Sequence, residues 1–155
     1  MKAFVTKFHP KDALKIKLRE RDARDTEGMS PLAWAFIFDS FGEAKTLMLE
    51  NGDIVACGGC VQNFGGGVAD FWALTSDHIR EYWKSFAVAC RDGINDFIEK
   101  HGLHRVQAYT LALDDGGKDP ELDRFMTWLG FEWEGLLRKT GPNALDRHLY
   151  ARVTK

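Results

Sequence analysis

A cysteine pair, a run of glycines and two cations near a helix start are the first candidates for reactivity or ligand binding in this chain. Cys57-Gly-Gly-Cys60 has the spacing of a redox pair or a zinc knuckle. No second Cys/His pair of suitable spacing follows, and both cysteines lie in an apolar, strand-like run, which favours two buried small side chains. Gly65-Gly66-Gly67 could suggest a phosphate cradle, but it lacks the strand-to-helix context and the lysine of such loops, so it reads as a hairpin tip. Arg80 and Lys84 stand where a helix begins, and orphan N–H groups with the positive end of the dipole favour an anion such as a phosphate there. Asp77 and Glu81 oppose an anion, and the Tyr82-Trp83 pair would crowd one. A solvated helix start is the alternative reading of both cations.

Length and composition limit what such residues can serve. A chain of 155 residues is one ordinary domain, read here as residues 1–155. Hydrophobic content of 45% and charged content of 28% fit a soluble globular protein. A formal net charge of -2 gives no general pull toward nucleic acid or an anionic membrane, and no apolar run approaches the ~20 residues needed to cross a bilayer. Three cysteines without a signal peptide predict reduced thiols and a cytoplasmic protein.

The elements that must position these residues can be read in order. Residues 3–8 alternate as a first strand, and His9-Pro10 interrupts it. Residues 11–25 are polar and predict one or two short, exposed helical turns. Ser30-Pro31 then caps an apolar helix, LAWAFIFDSF, apolar nearly all round and so either buried or bordering a ligand cleft, with burial favoured. Residues 45–50 and 53–63 form a hairpin around Asn51-Gly52, and 68–75 is the next strand. Phe86, Cys90, Ile94, Phe97 and Ile98 make one stripe of a helix over 84–101, ended by Gly102. A strand over 105–113 leads to Asp119-Pro120, which opens a short helix with Leu122, Phe125, Met126 and Leu129 on one face. Gly130 caps it, and 132–139 with 147–153 close the chain as a ribbon. This is α+β, a mixed, mostly antiparallel sheet with helices on both faces.

The capped helix running through Leu129-Gly130-Phe131 into a terminal ribbon, together with the element order, resembles the GNAT (Gcn5-related N-acetyltransferase) superfamily over residues 4–153. The resemblance implies acetyl-CoA as co-substrate, lying in a V-shaped opening beside the fourth strand. Its pantetheine arm would fall on Trp72, Ala73, Leu74 and Thr75, and its pyrophosphate on the following loop near Arg80 and Lys84. Here the sequence departs from the family, because residues 76–84 contain no glycine. The tyrosine that protonates the leaving thiolate in many members is Met126, which has no proton to give. Tyr109 and Tyr82 are the substitutes, since a phenol near a thiolate can act as acid. Asp70, Glu132, Glu134 and His148 are candidates for the base, with Asp70 first.

A narrower likeness rests on Trp72-Ala73-Leu74-Thr75-Ser76-Asp77, with the next helix entered through aromatic and basic residues. It is similar to a phage-encoded GNAT-like group that includes the internal virion protein A of podoviruses. Two functions follow: transfer of an acetyl group to an amine-bearing small molecule or protein, or a virion-associated role among phage proteins on a scaffold without chemistry. The localisation is cytoplasmic for the first, the phage virion for the second. Zinc or redox chemistry through Cys57 and Cys60 is a third expectation.

Overall fold

The computed structural model describes residues 1–62 and 65–154. The alternating runs become seven strands: β1 (Ala3–Lys7), β2 (Gly42–Leu49), β3 (Ile54–Gln62), β4 (Val68–Thr75), β5 (Arg105–Leu111), β6 (Glu132–Leu137) and β7 (Arg147–Val153). They form one sheet in the order β1-β2-β3-β4-β5-β7-β6. Every pairing is antiparallel except β4 with β5. The β2–β3 hairpin closes on Gly52 at φ +90°, the left-handed geometry that Asn-Gly supplies without strain. The expected end of β3 at Asn63 lies outside the described residues.

Among the described residues five α-helices, α1 (Pro10–Lys15), α2 (Glu20–Asp25), α3 (Pro31–Phe41), α4 (Ile79–His101) and α5 (Pro120–Trp128), and a short 3-10 turn (Pro142–Ala144) complete the fold. The cap-then-proline pairs act as their residue types predict. Ser30 accepts from the Ala33 N–H at 3.4 Å, and Asp119 from the N–H groups of Glu121 and Leu122 at 3.0 and 3.5 Å. Helix α4 starts at Ile79, ahead of the turn its apolar stripe marks, because its opening residues lie across a break at Tyr82 (φ -110°, ψ 20°). No helix among the described residues is long and apolar enough to cross a membrane.

The helices cover both faces, so two apolar clusters form. On one face Ile94 and Phe97 of α4 and Met126 of α5 pack with Val55, Phe71 and Val106 of the sheet. On the other, Trp34 of α3 packs with Phe8, Ile54, Cys57 and Leu74. Each fully buried side chain of this kind contributes about 1.5–3 kcal/mol. Helix α3 departs from the burial its composition favours. Only Trp34 and Ala35 are buried, whereas Phe36 is 54% and Phe41 67% exposed, because a helix on an outer layer buries only its sheet-facing stripe. No side chain of helix α2 is fully buried, and its partly buried Arg21, Asp22 and Asp25 tie it to the rest of the fold through ion pairs and hydrogen bonds.

Candidate functional site

Strands β4 and β5 pair only where Val68–Asp70 meets Arg105–Gln107. Beyond that point they part, and a cleft of about 750 Å³ opens between the rest of β4, Ala108 to Leu111 of β5, and helices α2, α4 and α5. In a strand, N–H and C=O of alternate residues share one edge. Thr75 turns both groups away from β3, since its N–H donates to Asp22 at 2.6 Å and its C=O accepts from the Arg19 N–H at 3.0 Å. By the same alternation Ala73 presents its backbone to the opening, while Trp72 and Leu74 turn theirs to β3. Of the four residues expected along a pantetheine arm, Ala73 therefore faces it free and Thr75 faces it already bonded.

Sequence reasoning missed what holds Thr75. Helix α2 lies across the opening, and its Asp22 also accepts from the Thr75 hydroxyl. Its two flanks are fixed by ion pairs, Arg21 with Asp119 and Arg147 with Asp25, both at 2.8 Å. Arg147 adds a bond to the Asp25 carbonyl at 3.0 Å. Burial pushes Asp22 above the ordinary carboxylate range, outweighing the Thr75 hydrogen bonds and the charges of Arg21 and Arg19. These residues sit in a stretch that reads as plain solvated polarity, and nothing in their spacing marks partners that lie 50 or more residues away.

The start of α4 differs from an anion cradle. The N–H groups of Ile79, Arg80 and Glu81 donate to the carbonyls of Ser76, Asp77 and His78, and Tyr82 also donates to His78. They are bonded within the turn, and the side chains of Arg80 and Lys84 beside them are exposed. The Lys84 ammonium lies 5.7 Å from the Trp83 ring. The Tyr82 hydroxyl donates to the Met1 carbonyl at 3.0 Å, and Tyr82 does not line the cleft.

Two of the expected catalytic residues meet in the cleft. Asp70 and Tyr109 both line it, and Asp70 Oδ1 is buried without a hydrogen-bond partner, as is Trp72 Nε1. Burial first and the charge of Asp70 second raise the Tyr109 pKa. The Trp72 ring is held by three others, stacked on Phe38 at 4.7 Å and edge-on to Phe8 and Trp34 at 5.5 and 5.7 Å.

The other base candidates are engaged elsewhere. His148 accepts from Trp133 Nε1 at 3.0 Å, so its Nε2 carries the proton directed at the Gly116 carbonyl, also at 3.0 Å. Glu134 pairs with Arg105 at 2.5 Å, which holds its carboxyl below the usual range. Glu132 is exposed on β6 and does not line the cleft. Met126 is buried at the edge of the cleft.

Cys57 and Cys60 are three apart on one strand, which sends them to opposite faces, and they fall in different apolar clusters. They cannot share a metal or a disulfide in this fold. Burial pushes both thiols up to about 12, away from the reactive thiolate. No group of three His, Cys, Asp or Glu side chains among the described residues could hold a metal ion.

The fold is that of solved acetyltransferases. The chain is similar over 99% of its length, with a TM-score of 0.69 and 14% identity, to all of a GNAT-family acetyltransferase from Streptococcus pneumoniae. A GNAT-superfamily phosphinothricin acetyltransferase from Sinorhizobium meliloti, solved with acetyl-CoA, matches 99% of this chain and 89% of its own at TM-score 0.65 and 16% identity. The ribosomal-protein-S5-alanine acetyltransferase of Vibrio fischeri matches 97% and 92% at TM-score 0.63 and 14% identity. No family model matches the sequence, and no curated protein matches it. At these identities the likeness establishes the architecture.

Proposed function

We propose that this chain is an acyl-CoA-dependent N-acyltransferase that moves an acetyl group to an amine on a small molecule or a protein. The observation that carries the reading is the parting of β4 from β5 beside Asp70 and Tyr109, with the backbone of Ala73 turned to the gap. An extended amide-bearing arm can pair with such an edge as another strand would. Bound there, the co-substrate would supply an activated acyl thioester. Its pyrophosphate would rest on Arg80 and Lys84, without help from the α4 amides.

The residues then divide the proton work. Asp70, with an unpartnered oxygen, accepts the proton of the attacking amine as the C–N bond forms. Tyr109 gives its proton to the sulfur as the C–S bond breaks. Both groups border one cleft, so a proton passed from Asp70 to Tyr109 restores the starting state. Titration with acetyl-CoA followed by an amine panel tests this. Micromolar binding, about 8 kcal/mol, with amine-dependent release of CoA thiol supports it, and a full absence of both removes it.

A second reading, a virion-associated or interaction protein on an inactive acetyltransferase scaffold, is favoured by one specific pair of observations. Thr75 is bonded to α2, and the first α4 amides are bonded to their own turn. Absence of CoA binding would support this reading, and co-purification with phage particles would be its own test.

A further inference from the structure

We infer that Gln107 is a positioning residue which, locked by Arg105 and Glu134, holds Tyr109 as a proton donor directed into the cleft. This rests on the acyltransferase reading for its use, though not for its existence. A chain of polar side chains runs along β5. Arg105 donates to Glu134 through both terminal nitrogens, the bond to Oε2 being 3.1 Å. Its Nε donates to Gln107 Oε1 at 2.9 Å, and Gln107 Nε2 meets the Tyr109 hydroxyl at 3.2 Å.

The direction of this chain follows from donor chemistry. A guanidinium only donates, so the Gln107 atom facing Arg105 must be its carbonyl oxygen. The other end of the amide is then NH₂, which also only donates. The Tyr109 oxygen must accept, and its own proton is left pointing away from Gln107. Residues 105, 107 and 109 share one face of β5, so the relay needs no backbone distortion. Tyr109 is 40% exposed and lines the cleft that holds the unpartnered Asp70 oxygen.

Such an arrangement suits an acid and not a base. Once the Tyr109 proton has gone to the departing sulfur, giving a thiol, the phenolate keeps the hydrogen bond from Gln107, which stabilises that charge. A tyrosine at this position replaces the proton that Met126 lacks.

The test is an NMR titration of ring-labelled tyrosine, with the Tyr109 signal identified by its loss in Tyr109→Phe. Gln107→Met keeps the bulk and removes the donor, so the Tyr109 pKa should rise by roughly half a unit or more. Gln107→Glu, ionised at alkaline pH, should raise it further. An unchanged or lowered value in Gln107→Met overturns the inference, whether or not the protein has activity. If the wild type transfers acetyl groups, the alkaline limb of kcat should move up in Gln107→Met with KM for acetyl-CoA unchanged; an unmoved limb also overturns it. If the wild type transfers nothing, the acyltransferase reading falls, and the titration still decides the role of Gln107.

Discussion

The carboxylate of Asp22 takes the backbone N–H of Thr75 at 2.6 Å, so a short, partly buried helix occupies the strand edge that borders the cleft. The contact competes with any extended ligand for the same amide. Asp22→Ala should therefore strengthen binding of CoA about tenfold, about 1.4 kcal/mol, in isothermal titration. A weaker affinity in the variant would show that Asp22 belongs to the binding site and does not obstruct it.

The pH dependence of the same contact has a definite sign. Burial raises the Asp22 pKa in the folded protein above its unfolded value, so folding favours its protonated form. Its contribution is most favourable at low pH and is lost as pH rises through the raised folded value. Asp22→Asn, neutral throughout, should melt higher than wild type at about pH 7, with the gap closing toward about pH 4. Thermal melts at a series of pH values check this, and a gap that widens on acidification would contradict it.

The four-ring cluster predicts where aromatic loss is felt. Trp72→Ala removes a ring in contact with Phe8, Trp34 and Phe38, and should destabilise by about 3–5 kcal/mol in chemical denaturation. Phe36→Ser, on the exposed side of α3, should change stability by less than about 0.5 kcal/mol. A large loss at Phe36 would mean that this face is covered in solution.

Asp70 separates activity from stability. Asp70→Asn should lower kcat roughly a hundredfold or more if Asp70 is the base. It should leave the melting temperature close to wild type, since the buried Oδ1 has no hydrogen bond to lose. Equal activity in the variant would move the base elsewhere.

Gly130, Asp119-Pro120, Asn51-Gly52 and the stripes of α4 and α5 made the element order legible in the sequence, because caps, turns and helical periodicity are local properties of the chain. Asp70 and Tyr109 were legible as titratable groups on neighbouring strands, and Arg80 with Lys84 as cations at a helix start. Element types and their order were thus written locally, each depending on residues a few positions apart. Tertiary structure alone decided that α2 would bind Thr75, that Arg147 would reach Asp25 across 122 positions, and that Glu134 would pair with Arg105. Those contacts depend on which side chains the closed sheet brings within about 3 Å, and hydrogen bonds at that range leave no periodic trace along the chain.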